Sequence, residues 1–369
     1  MKENSMTDNL DQQADRISFI DRDGNAVREL PDTVDVDWLR QSYRHMVLIR
    51  ALDKKAVALQ RTGQMSTYPS CLGQEAVGTG IGMAMQDEDI FVPYYRDQAT
   101  QTLRGVTLHQ ILQTWGGDER GNVFEGVAKK DLPLCIPIAN QMSHAAGVAV
   151  ALKSRGIRQA VVTTIGDGGT SRGDFYESLN LAGVWQLPLV TVINNNQWAI
   201  SVPRSSQTGT RTLAQKAVAA GIEGVQVDGN DVVAVYHAVE QALHKARCGK
   251  GSTLIEAVTY RLSDHTTADD ATRYREASQV SQAWEYEPVK RLQTWLHANK
   301  HWDPDREQAL LREVQQEVDD AVAAYLQQAP QQPDDFMRYV YEEMNHSLQE
   351  QRAELLEKHG RQKEDSHGT

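Results

Sequence analysis

The chain has 369 residues, enough to bury the core of one large domain with appendages, and its 40% hydrophobic and 24% charged content is ordinary for a globular protein. No apolar run approaches membrane-spanning length, and a formal net charge of -12 opposes nonspecific affinity for nucleic acid or anionic lipid. Cys71, Cys135 and Cys248 lack CxxC spacing, so neither a disulfide framework nor a thiolate zinc site is suggested.

The opening MKENSMTDNL has neither the apolar stretch of a secretory signal nor the Arg-rich character of a transit peptide, and a cytoplasmic location is expected. Residues 1–34 are polar, with a turn at Asp21-Arg22-Asp23-Gly24-Asn25 and Pro31, and are read as an extended arm. From Val36 the spacing of Leu39, Tyr43, Met46, Val47 and Ile49 predicts an amphipathic helix. An α/β domain over residues 35–285 follows from alternation. Helices are expected over Ala145 to Leu152, over Asp174 to Ala182 and from Asp231; strands are expected at Val161 to Ile165, Leu189 to Ile193, Val225 to Val227 and Leu254 to Tyr260. This pattern predicts a doubly wound parallel sheet flanked by helices, with ligands outside the carboxyl ends of its strands. Residues 262–276 are too hydrophilic for a core strand and are read as a loop. Residues 286–369 are expected to be helical, with Asp303-Pro304 starting a helix that carries Leu310, Leu311, Val314, Val318, Ala321, Val322 and Tyr325. The last ten residues, GRQKEDSHGT, have nothing to bury and are expected to fray.

Two strand ends carry the chemistry. Val161-Val162-Thr163-Thr164-Ile165 runs into Gly166-Asp167-Gly168-Gly169, and Leu189-Val190-Thr191-Val192-Ile193 runs into Asn194-Asn195-Asn196-Gln197-Trp198. An Asp carboxylate, an Asn amide oxygen and a main-chain carbonyl form a hard-oxygen set suited to Mg²⁺ or Ca²⁺ beside a diphosphate, and the glycines permit close ligand approach. GDG followed by an Asn pair, with Asp167 and Asn196 29 positions apart (196 − 167), resembles the diphosphate motif of thiamin diphosphate enzymes.

Longer stretches narrow the resemblance to the α subunits of the pyruvate and branched-chain 2-oxo acid dehydrogenase E1 components, over roughly residues 35 to 350. They are Gly73-Gln74-Glu75-Ala76, Pro93-Tyr94-Tyr95-Arg96-Asp97, Asp167 through Asp174, Ile200-Ser201-Val202-Pro203, and Tyr260-Arg261 leading to His265. The resemblance implies the thiamin diphosphate-binding fold, with Mg²⁺ on Asp167, Asn196 and the Trp198 carbonyl. It places Gly168 and Gly169 against the diphosphate, below a helix opening after Gly169. Tyr95 and Arg96 contact the diphosphate, Ile138 supports the cofactor rings, and His265, on loop 262–276, acts in catalysis and cofactor binding as an imidazole titrating near neutrality. Asn194 is also expected among the cofactor-binding residues, standing where animal branched-chain relatives have a diphosphate-facing arginine. Thr266 replaces a serine phosphorylated in mitochondrial relatives and is not taken to imply regulation.

The reaction so implied is oxidative decarboxylation of a 2-oxo acid, with acyl transfer to the lipoyl arm of an E2 acyltransferase. A cofactor-activating glutamate is supplied by a partner β subunit in an α2β2 heterotetramer. Tyr68, Tyr94 and Ile136 are substrate-pocket candidates, and the bulk of Ile136 favours pyruvate over branched-chain acids, with acetoin as a further alternative. A nucleotide-binding dehydrogenase is disfavoured because Gly78-Thr79-Gly80-Ile81-Gly82 is followed by Met83 and preceded by nothing strand-like.

Overall fold

A computed structural model describes residues 16–332, 335–337 and 340–367. Helix α1 (Val36–Arg61) starts where Asp35 accepts the Trp38 N–H, and buries Leu39, Tyr43, Met46 and Ile49. It is followed by α2 (Glu75–Ala84), β1 (Ile90–Val92), α3 (Gln98–Leu103) and α4 (Leu108–Trp115), the last opened by a Thr107/Gln110 capping box. Next come α5 (Asn140–Ser154), β2 (Val161–Gly166), α6 (Gly173–Val184) and β3 (Leu189–Asn195). A short hairpin, β4 (Trp198–Ala199) with β5 (Val202–Pro203), precedes α7 (Lys216–Ala219), β6 (Glu223–Asp228), α8 (Val232–Arg247) and β7 (Thr253–Val258). The C-terminal part holds α9 (Ala277–Trp284), α10 (Pro288–Ala298), α11 (Pro304–Gln327) and α12 (His346–His367).

The central sheet is parallel throughout, in the order β1-β2-β3-β7-β6. Its strands are covered on both faces, which is why they read as continuous β-branched runs. Val162, Val190, Val192, Ile255 and Ala257 pack toward α1, α2 and α8, while Val161, Leu189, Ile165, Ile193 and Leu254 pack toward α5 and α6. The doubly wound α/β reading is borne out.

Three local expectations need correction. Residues 16–34 do not run free: Ile17 pairs with Val227 at the β6 edge, and Phe19 and Ile20 are buried. One Asp231 carboxylate oxygen accepts the Phe19 and Ile20 N–H groups while the other caps α8 through Val233 and Ala234. The first half of the expected arm, residues 1–15, lies outside the described residues. In α11, Leu310, Val314, Val318, Val322 and Tyr325 are buried as the spacing demands, but Leu311 is exposed. The tail expected to fray from Gly360 is helical to His367, supported upstream by the Glu354–Lys358 pair.

Asp231→Ala removes a helix cap and strands two buried N–H groups, so it should cost about 2–4 kcal/mol in urea-monitored stability. A loss near zero would mean that the 16–34 segment docks without this carboxylate.

Candidate active site

The pairing of β2 with β3 runs to Gly166↔Asn194, so the Gly166-Asp167 turn and the Asn195-Asn196 turn leave the sheet side by side. Between them opens a cleft lined by Tyr94, Tyr95, Arg96, Ile136, Ile138, Gln141, Asp167, Gly168, Gly169, Asn196, Trp198 and His265, among others. Sequence positions up to 171 apart (265 − 94) thus meet at the carboxyl end of the strands, the expected place for a ligand in such a sheet.

Asp167 is buried, and its Oδ2 accepts from Gln207 Nε2 at 3.0 Å. Burial pushes its carboxyl up to about 6, against the opposing effects of Gln207 and the Arg261 charge. Gly168 and Gly169 could not be replaced without collision: a Cβ at Gly168 would lie 2.4 Å from Ala199 Cβ, and one at Gly169 would lie 2.6 Å from Ile165 Cγ1. The expected helix does not follow directly. A 3₁₀ turn spans Asp167–Ser171 and α6 begins only at Gly173, because the tight turn brings the Thr170 hydroxyl back onto the Asp167 carbonyl.

The second turn is held from both sides. Asn196 Oδ1 accepts the Trp198 N–H at 3.2 Å, and its Nδ2 donates to Gln74 Oε1. On the other face Asn195 Nδ2 donates to the buried Glu256, which also accepts from Ala214 N and Gln226. Gln197 and Ile200 adopt positive φ values of 73° and 53°, strain that a non-glycine residue tolerates only where its surroundings fix it. The Trp198 carbonyl accepts from Arg261 Nη1 at 3.3 Å and retains a second lone pair.

Arg96 is buried, donating to the Ser70 carbonyl, the His265 carbonyl and, at 2.9 Å, His265 Nδ1. Because a guanidinium only donates, Nδ1 must be the acceptor and the imidazole proton resides on Nε2. Burial, then the charges of Arg96 and Arg261, hold His265 down at about 3. The near-neutral titration expected for it is thereby corrected: the residue is a neutral N–H donor beside two cations. Tyr95 meets the His265 ring edge-on and lies beneath the Arg96 guanidinium. The preceding turn is fixed by Asp97, which accepts from Tyr94 N and the Thr164 hydroxyl, and whose carboxyl burial pushes up to about 8.

Ile136 and Ile138 form an exposed apolar wall. Two expected residues do not reach the cleft. Asn194 donates to the Tyr94 hydroxyl at 3.1 Å and lies behind it. Tyr68 is fully buried under the 262–276 loop, exchanging hydrogen bonds with Thr267 and facing Trp115 edge-on. The disfavoured glycine run lies within α2, where Gly78, Gly80 and Gly82 allow close contact with Ala99, Val235 and Leu103. Sequence reasoning missed Gln74, Gln141, Asp97 and Gln207. Gln74 and Asp97 sit inside motifs that were noticed, whereas nothing in the pattern around Gln207 points to Asp167.

A family model described as dehydrogenase E1 component matches residues 43–334. The chain belongs to that family. It is 38% identical over 337 residues to the pyruvate dehydrogenase E1 component subunit alpha of Bacillus subtilis, covering 90% of each chain. It is 40% identical over 340 residues to the protein of the same name from Acholeplasma laidlawii, covering 90% of this chain and 97% of that one. A third relative of that name, from Staphylococcus aureus, is 39% identical over 339 residues, 91% of each. The family expected from the sequence is borne out, and it implies thiamin diphosphate as cofactor.

With its folded pKa depressed to about 3, His265 contributes stability that is present above its unfolded value near 6.5 and is lost as pH falls toward 3. In the unliganded chain its imidazole should show an Nε2–H signal that does not titrate between pH 5 and 8 by nitrogen-15 NMR. A midpoint inside that window would refute the neutral-donor assignment.

Proposed function

We propose that the chain is the α subunit of a pyruvate dehydrogenase E1 component, decarboxylating pyruvate oxidatively together with a β subunit and passing the acetyl group to the lipoyl arm of an E2 acyltransferase. The observation that carries this reading is the convergence of Asp167, Asn196, Arg96 and His265 on one cleft at adjacent strand ends. The donor set fits a magnesium diphosphate. A buried carboxylate raised by desolvation, with no cationic hydrogen-bond partner, gains from a divalent ion, and the Asn196 oxygen and Trp198 carbonyl each keep a free lone pair.

Asp167, Asn196 Oδ1 and the Trp198 carbonyl would hold Mg²⁺, while Gly168 and Gly169 admit the diphosphate and Tyr95 and Arg96 bind its oxygens. Bound there, thiamin diphosphate supplies the electron sink for decarboxylation. Ile138 supports the cofactor's rings, and His265 offers its Nε2–H to a substrate or diphosphate oxygen. Among the described residues lining the cleft, Asp167 is the sole carboxylate, and it is committed to the metal. The glutamate that activates the cofactor therefore comes from the β subunit, in an α2β2 assembly. Ile136 narrows the acyl side of the cleft and supports pyruvate over bulkier acids.

Two measurements test this. Calorimetry should show thiamin diphosphate binding that requires Mg²⁺, is strengthened by the β subunit and weakens as pH falls through about 6, where Asp167 protonates. The reconstituted enzyme should prefer pyruvate to 3-methyl-2-oxobutanoate and to acetoin, with Ile136→Ser relaxing that preference about 10-fold. Decarboxylation by the α chain alone would overturn the split site, and a preference for the branched acid would overturn the substrate.

A further inference from the structure

Gln74 immediately precedes α2, at the position where a side chain would turn back to cap the helix, yet its side chain makes no bond to that helix. It is buried and reaches across to the strand-end turns instead. Its Oε1 accepts from Asn196 Nδ2 at 3.2 Å and from the Tyr94 hydroxyl at 3.4 Å, and that hydroxyl in turn accepts from Asn194 Nδ2. Donors from the turn after β3 and from the 93–97 segment thus converge on one acceptor, and Asn194 of β3 joins them through the Tyr94 hydroxyl.

The direction of this network is determined. Asn196 Oδ1 accepts the Trp198 N–H, so a flipped amide would set two donors against each other there and two acceptors against each other at Gln74. We propose that Gln74 is a positioning residue that locks the Asn196 amide with its oxygen available to the metal. The proposal rests on the metal-site reading above and extends it to a residue that itself touches neither metal nor cofactor. A ligating amide free to rotate would present NH₂ to the cation in part of its population, and such supporting hydrogen bonds are worth about 10- to 100-fold in metal affinity.

The test uses the α chain reconstituted with its β subunit at saturating thiamin diphosphate, with Mg²⁺ half-saturation read by calorimetry and thermal melting followed without metal. Gln74→Met removes the acceptor and should raise the Mg²⁺ half-saturation about 10- to 100-fold. Gln74→Glu keeps an acceptor for Asn196 and should stay near the parent. A purely structural role would lower the melting temperature of Q74M and leave its Mg²⁺ half-saturation unchanged, which overturns the proposal. An equal rise in Q74M and Q74E also overturns it, because shape rather than the acceptor would then matter. If Q74M does not fold, Gln74→Ser, too short to reach Asn196, carries the same expectation. Asp167→Ala separates the two levels: if it leaves Mg²⁺ binding intact, the metal-site reading itself fails, whereas if D167A abolishes binding and Q74M does not weaken it, only the role of Gln74 fails.

Discussion

Parallel pairing of β2 with β3 is the constraint on which the site depends. Its register ends at Gly166 and Asn194, so the two strands deliver their polar turns to the same edge at the same height. A slip of β2 by one residue against β3 would carry Val162 off the face that packs on α1, α2 and α8 and bring a residue of the opposite face, Val161 or Thr163, into its place. The register is therefore enforced by the hydrophobic core, and the cleft inherits its geometry from packing that has no chemical role.

Around that edge, charge is arranged unevenly. Asp167 and Asp97 are buried carboxylates without a cationic hydrogen-bond partner, and both are pushed upward, while Arg96 and Arg261 crowd a neutral imidazole a short way across the cleft. Opposed shifts of this kind cluster at sites that receive charged ligands.

Much of this was legible beforehand. The β-branched runs and the GDG and Asn turns located the strands and the site because both obey short-range rules, periodicity and turn chemistry, that operate within a few residues. What stayed hidden was long-range. That Phe19 and Ile20 dock beside α8 depends on Asp231, more than two hundred positions away; that Gln207 meets Asp167 depends on the fold of the β4–β5 hairpin. Asn194 and Tyr68 were expected at the cleft, and the structure turns both away from it, Asn194 Nδ2 donating to the Tyr94 hydroxyl and Tyr68 bonding Gln98 and Thr267. The charge state of His265 was misread for the same reason: burial and neighbouring guanidiniums are tertiary facts.

The turn after β3 is gripped from opposite faces, by Gln74 on one and by Glu256 through Asn195 on the other. Such a turn cannot open without disturbing the sheet, so its backbone amides should exchange only on the timescale of global unfolding. The residues 262–276 wall the cleft from the other side through hydrogen bonds concentrated on Arg96, Arg261 and Arg275. Of residues 262–276 His265 alone lines the cleft among the described residues, so those arginine contacts converge on the one imidazole that the segment turns inward.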